Sequence, residues 1–291
     1  MLFRAARELD VLIPTRERPT ALAATLASLA CQGPLSQARA GQERFGVVIS
    51  DQSTSAPAWR WDAIAGVVRV LREQGHPVLL TRNVPPRGMA EQRAYLLSCS
   101  RARYVLYLDD DIWMAPGTVD RLYQAIRLLK CGFVGNAPHD LTAGHGPPVE
   151  TRVRYEEWEG PVRPETIGPD TSAWRRAELH HAGTLRQLTR RLTAEGRLRP
   201  GQWRAYKLAW IKGCVLYDRR KLLECGGFDF WPRVSAEYTG EEVVVQVRMM
   251  ARYGGAGILP SGAYHVQPSA SPSASGGGAV PECPGDPLTV S

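Results

Sequence analysis

The feature that most constrains this chain is a rhythm. From the start to about residue 137, short apolar runs alternate with longer segments whose apolar residues recur every three or four positions. Leu9–Ile13 reads as a strand closed by Pro14, and a helix opens at Pro19 with Leu22, Leu26 and Leu29 on one face. Phe45–Ser50 is a second strand, and Ile64, Val67, Val68 and Leu71 form the stripe of a second helix. Val78–Thr81, Tyr104–Leu108 and Phe133–Gly135 read as strands, with helices over Met89–Ser100 and Val119–Leu129 between them. Parallel strands need crossovers, and helices supply them. The pattern therefore predicts an α/β fold with a mostly parallel central sheet and helices on both faces. Ligands of such sheets bind beyond the carboxyl ends of the strands.

The rhythm breaks between Pro138 and Pro200. After a Pro-rich start, the spacing predicts a helix over Ser172–Ala194. It carries Leu179, Ala182, Leu185, Leu188 and Leu192 on one face, with Arg175, Arg176, Arg186, Arg190 and Arg191 on the remaining surface. The αβ pattern resumes from Leu208 with a strand near Ala209–Leu216, a helix from Arg219, a turn at Gly226–Gly227 and a helix over Glu241–Arg252. The expected organisation is one domain, 1–267, with a helical insert at about 138–205. Pro268–Ser291 holds 5 Pro, 4 Gly and 5 Ser without periodicity, so it is predicted to be a disordered tail.

Composition excludes several classes. Hydrophobic residues make up 44%, too many for a wholly disordered chain. No apolar stretch approaches the roughly 18 residues that span a bilayer. The opening residues lack the continuous apolar core of a secretory signal, so a cytoplasmic location is expected. None of the six cysteines sits in a Cys-x-x-Cys pair, which excludes a zinc knuckle and a redox dithiol. Cys31, Cys99 and Cys131 read as buried small hydrophobes in a reducing compartment. The net charge is +7, yet Thr151–Leu222 alone has 16 bases against 8 acids. Such a surface attracts phosphate groups, nucleic acid or anionic lipid alike.

Four places could carry chemistry. Val105–Leu108 is apolar throughout and delivers Asp109, Asp110 and Asp111 to one point. Carboxylates this close repel one another unless a cation sits among them, and Asp109 and Asp111 could share a divalent ion. The plain alternative is an acidic turn capping the next helix. Asp51 also follows an apolar strand, as a ligand-binding carboxylate or as a turn residue. Glu241 and Glu242 open a helix, either as favourable charge at its N-terminus or as a general base. His265 is the last candidate, either structural or a metal ligand.

The order of these pieces resembles glycosyltransferase family 2 on the GT-A (Rossmann-like) nucleotide-sugar fold. Val11–Pro19 is similar to that family's opening strand and loop, and Ser50-Asp51-Gln52-Ser53-Thr54 to its base-binding segment. Gly88–Leu108, with Arg93 inside it, is similar to the helix and strand before the DxD motif, for which Asp109-Asp110-Asp111 stands. Trp210–Arg220, Gly226-Gly227-Phe228-Asp229 and Gly240-Glu241-Glu242-Val243 match the acceptor-side segments. The resemblance covers about residues 9–137 and 208–266. Two positions depart from it: the family's Glu-Asp is Glu241-Glu242 here, and the Asn after the helix Arg is Ala94.

The resemblance implies a metal-dependent, inverting transferase that moves a sugar from a nucleotide-diphosphate donor to a hydroxyl acceptor. Pro14, Thr15, Arg16, Glu17, Asp51, Arg93, Asp109 and Asp110 would bind the nucleotide sugar. Asp109, Asp111 and His265 would hold Mn²⁺ or Mg²⁺. Glu242, helped by Glu241, would deprotonate the acceptor. No nucleic-acid partner is implied, and the basic insert is a candidate for peripheral membrane contact. Acceptor and oligomeric state are not readable from the residues. Two rivals stand beside this reading. A sugar nucleotidyltransferase is expected to carry a Gly-rich phosphate loop, and Pro14–Pro19 has no Gly. A basic nucleic-acid-binding protein would not need the aspartates.

Overall fold

Leu9–Thr15 forms the first strand, β1, buried along its whole length. Successive side chains of a strand point to opposite faces. Leu9, Val11 and Ile13 accordingly join one hydrophobic cluster and Leu12 joins another. The computed structural model describes residues 7–140, 155–180 and 184–266. After β1 come α1 (Pro19–Ala30), β2 (Gly46–Asp51), α2 (Asp62–Glu73), β3 (Val78–Arg82), α3 (Met89–Cys99) and β4 (Tyr104–Leu108). These are followed by β5 (Ile112–Met114), α4 (Thr118–Leu129), β6 (Phe133–Gly135), β7 (His139–Asp140), α5 (Thr184–Ala194) and β8 (Arg204–Tyr206). The chain continues through β9 (Cys214–Asp218), α6 (Arg219–Glu224), α7 (Glu241–Tyr253), β10 (Gly255–Leu259) and β11 (Ala263–His265).

Eight strands form the main sheet in the order β3-β2-β1-β4-β9-β6-β10-β8. β1, β2, β3 and β4 run parallel, as do β6 and β10; β9 is antiparallel to both β4 and β6, and β8 to β10. The fold is thus α/β with a mostly parallel central sheet. On one face the apolar stripes of α1, α2 and α4 pack on Val11, Leu106 and Leu216. On the other, α3, α5 and α7 pack on Leu12, Val105 and Tyr217. Each fully buried Leu or Ile contributes roughly 1.5–3 kcal/mol. β5, β11 and β7 form a small second sheet at the carboxyl end of β4.

Three readings of the sequence need correction. The helix expected over Ser172–Ala194 is a 3₁₀ segment, Ser172–His180, followed by α5 at Thr184–Ala194; Ala182 lies outside the described residues. The leucine period continues through both, but the 3₁₀ segment winds more tightly than an α-helix. The strand expected near Ala209–Leu216 begins only at Cys214. Its predecessors form a loop, because Gly213 takes φ +80°, which breaks an extended path. Cys31 is exposed just after α1, whereas Cys99 and Cys131 are buried. The strands β5, β8, β10 and β11 carry too short or too Gly-rich a pattern to have been read from the sequence.

The segment 155–206 is tied into this sheet. Glu157 bridges Tyr206, and β8 forms the edge strand beside β10. Among the described residues, no helix is long and apolar enough to cross a membrane. The predicted tail, 268–291, lies outside the described residues.

Candidate active site

β1, β2 and β4 end side by side, so the loops after them meet at the sheet's carboxyl edge. The acidic turn after β4 is pinned on three sides. The Asp109 amide donates to the Gly213 carbonyl (2.9 Å), Thr25 Oγ1 to the Asp110 carbonyl (2.8 Å), and the Val266 amide to the Asp111 carbonyl (2.9 Å). A Cβ on Gly213 would stand 3.3 Å from Asp109 Oδ2, at a φ that other residues rarely adopt. That position therefore brings the loop close to the aspartate.

Arg93 of α3 is the centre of one cluster and only 2% exposed. Its Nη2 lies 2.9 Å from Asp109 Oδ1 and 3.4 Å from Glu242 Oε2, and its Nε lies 3.1 Å from Glu241 Oε1. The guanidinium lies over the Tyr107 ring at 5.4 Å, and Tyr107 Oη donates to the Arg93 carbonyl at 2.7 Å. Glu241 and Glu242 open α7, where Gly240 at φ +111° turns the chain into the helix and its amide donates to Glu241 Oε2. One cation thus faces three carboxylates. Burial pushes the Glu242 carboxyl above its ordinary value and Arg93 opposes that only in part, while Asp109 and Glu241 add to it. Glu242 Oε1 is buried without a partner. Arg93, expected to line the nucleotide pocket, is the hub that holds Asp109 and both glutamates.

A second cluster surrounds the other two aspartates. Arg18, just before α1, reaches Asp110 Oδ1 at 3.0 Å and Asp111 Oδ2 at 2.7 Å. Thr15 Oγ1 donates to Asp110 Oδ2 at 2.7 Å. Burial raises the Asp110 carboxyl to about 7 against the opposing effects of Thr15 and Arg18. Asp111 moves the other way: burial is outweighed by Arg18 and by the facing imidazole of His265. His265 Nδ1 lies 3.7 Å from Asp111 Oδ1, past hydrogen-bond reach, and is buried without a hydrogen-bond partner. Pairing of His265 with Ile112 across β11 and β5 brings the imidazole there. Asp109 and Asp111, expected to share an ion, have separate partners: Asp109 faces Arg93 and Asp111 faces Arg18 and His265. A tight turn, not an extended strand, connects them, with the Ile112 amide donating to the Asp109 carbonyl, so the two side chains need not point the same way.

The remaining candidates shape the neighbouring loops. Asp51 is fully buried and accepts from the Ser53 and Ala58 amides, both at 2.7 Å, so its carboxylate holds the loop after β2 from beneath. Glu17, at φ +53°, accepts from the Ser55 hydroxyl and from the Thr54 and Ser55 amides, which hold its carboxyl down at about 2. These bonds latch the loop after β1 to the loop after β2. Pro14 is buried within β1, and Arg16 is exposed with no ion pair among the described residues. Two functional side chains carry no sequence signal of their own. Arg18 pairs with an aspartate 93 positions away, and Lys212 acts on the charge of Glu242 from the loop before β9.

The profile of the family described as Glycosyl transferase family 2 matches residues 10–146, a span that runs from β1 through the acidic turn and on past β7. That span belongs to glycosyl transferase family 2. Comparison with curated protein sequences finds no match. Among solved structures, the first 349 residues of S. aureus TarS superpose with TM-score 0.50 at 15% identity, over 86% of this chain and 57% of that one. The same TarS fragment with UDP-GlcNAc gives 0.51 at 13%, over 86% and 55%. GalNAc-T7 with UDP, GalNAc and Mn²⁺ gives 0.58 at 13%, over 90% and 44%. At these identities the chain shares their GT-A fold, and it spans about half the length of each.

Proposed function

We propose that the chain is a metal-assisted, inverting glycosyltransferase that moves a sugar from a nucleotide-diphosphate donor to a hydroxyl acceptor. One observation carries the reading. A buried glutamate with an unpartnered oxygen stands in the same charge cluster as the first aspartate of the acidic turn, at the sheet edge where ligands of this fold bind. The family match supports the nucleotide-sugar chemistry. TarS binds UDP-GlcNAc and GalNAc-T7 holds UDP with Mn²⁺, which supports a nucleoside diphosphate and a divalent ion here.

The residues fit such an ion. Asp111 offers a carboxylate oxygen and His265 a buried, unpartnered nitrogen facing it. Among the described residues no group of three or more His, Cys, Asp or Glu makes a closed cage. Two protein ligands suit Mn²⁺ or Mg²⁺, which draw their remaining ligands from substrate phosphates and water. When bound, the ion would supply neutralisation of charge gathering on the departing diphosphate.

The chain's own groups account for the rest. The loops latched by Glu17 and held by Asp51 form the platform on which the base rests. Thr15 and Arg18 hold Asp110 and Asp111 in place. Glu242 Oε1 takes the proton of the acceptor hydroxyl. The acceptor oxygen then bonds to the anomeric carbon as the carbon–oxygen bond to the diphosphate breaks, from the opposite face and with inversion. A carboxyl raised by burial is a better base for this than an exposed one. Glu242 is one methylene longer than an aspartate, which changes its reach by roughly 1.5 Å.

The test is a thermal-shift and transfer screen with UDP- and GDP-sugars, with and without Mn²⁺. Metal-dependent stabilisation by a nucleoside diphosphate, and transfer abolished in E242Q, is the expected result. No stabilisation by any nucleotide, or full transfer by E242Q, overturns the reading.

A further inference from the structure

The basic bias of the middle segment becomes concave at one place. Arg186, Thr189 and Arg190 lie at i, i+3 and i+4 on α5 and share a face, while Leu185, Leu188 and Leu192 are buried on the opposite stripe. With Arg121, His139 and Tyr264 they line a cleft of about 240 Å³. That is below the roughly 300–1,000 Å³ of pockets for drug-sized ligands, so it suits a small group.

Among the described residues the charge of this cleft is uncompensated: three arginines line it and no Asp or Glu does. Arg186 and Arg190 have no ion pair among the described residues. The Nε atoms of Arg121 and Arg186 are buried without a hydrogen-bond partner. Arg121 spends its Nη2 on neutral oxygens, Thr118 Oγ1 at 3.1 Å and the Ser261 carbonyl at 3.0 Å. His139, desolvated and facing Arg186, has its imidazole pushed down to about 4 and stays neutral at physiological pH. It therefore neither adds to nor offsets the arginines. Guanidinium forks match phosphate oxygens in geometry, and a phosphate dianion meets three cations better than a carboxylate does.

We propose that this cleft binds a phosphoryl group carried by the acceptor. The proposal rests on the transferase reading for the word acceptor, and on the cleft alone for the phosphate. Its position supports the link. Tyr264 lines the cleft and its neighbour His265 faces Asp111, because successive residues of a strand point to opposite faces. The anchor thus lies across β11 from the histidine assigned to the donor side. The phosphate is a monoester or a diester; both present oxygens to the same forks.

Isothermal titration of the full chain with inorganic phosphate, against chloride at matched ionic strength, tests the site directly. The variants are R186Q/R190Q, whose melting temperature without phosphate checks folding, and R18Q at the donor side. Phosphate affinity falls about tenfold or more in R186Q/R190Q, from the loss of charge-assisted hydrogen bonds. It survives in R18Q, and nucleoside diphosphate binding is unchanged in R186Q/R190Q. Glycerol 3-phosphate and dimethyl phosphate then separate monoester from diester, and binding of either supports the proposal. It is overturned if the wild type binds no phosphate, if R186Q/R190Q binds it as well as the wild type, or if neither ester binds. Loss of nucleotide binding in the wild type with phosphate binding intact would instead sink the transferase reading and leave the cleft standing.

Discussion

Replacing Arg93 with methionine removes the one guanidinium that separates Asp109, Glu241 and Glu242. The methionine fills most of the space, so the change in packing is small and the change in charge is large. Arg93 is 2% exposed and makes two contacts of 2.9 and 3.1 Å and a third of 3.4 Å. Removing one partner of a buried charge network leaves the others uncompensated and costs about 3–5 kcal/mol. For a domain of this size that corresponds to a fall in Tm of about 6–20 °C. The cost has a pH signature. Burial already holds the Glu242 carboxyl high and Arg93 opposes this, so without the cation its stability contribution is retained while it is protonated and lost as pH rises through the folded value. R93M should therefore lose less at pH 5 than at pH 8, measured by urea unfolding followed by circular dichroism. R93K should recover part of the loss, since one ammonium cannot serve three carboxylates with a planar fork. A loss below about 1 kcal/mol, or an equal loss at both pH values, would refute the hub.

Four further outcomes are expected. E242Q should lower turnover by about 10²–10⁴-fold with little change in nucleotide affinity, the scale of a lost general base. Because burial holds the Glu242 carboxyl high, its ionised form destabilises the fold as pH rises, so E242Q should unfold later than the wild type at alkaline pH. Wild-type kcat/KM should rise with pH through that same titration, and a flat profile would remove Glu242 as the base. D111N and H265A should each abolish the Mn²⁺-dependent part of nucleotide stabilisation in thermal-shift assays while leaving the apo Tm within a few degrees. E17Q should weaken nucleotide binding through a loosened latch between the loops after β1 and β2, visible as faster amide exchange at Thr54 and Ser55.

The acidic turn, the two glutamates and the parallel half of the sheet were legible in the residues because each is local. An apolar strand that ends in Asp109-Asp110-Asp111 announces itself within seven positions, and so does a helix opening on Glu241-Glu242. Other features were not legible for an equally physical reason. Gly255–Leu259 and Ala263–His265 are too short for their period to stand out, yet β10 extends the main sheet and β11 carries His265 to Asp111. Asp51 could be read as a ligand group or a turn residue; the fully buried carboxylate with two amide donors shows it organising a turn.

By itself, the sequence determined most strands and helices of the parallel half, and hence the α/β class and the edge where the chemistry gathers. Those choices depend on spacing along the chain, which a linear pattern records. Only the tertiary structure decided who meets whom. It joined Arg93 to Glu241 across 148 positions and Arg18 to Asp111 across 93. It also turned a diffuse basic segment into a cleft with three arginines on one side of a strand and a site histidine on the other. The worth of a charge depends on its burial and on the sign of its neighbours, and neither is a property of the residue or of its place in the chain.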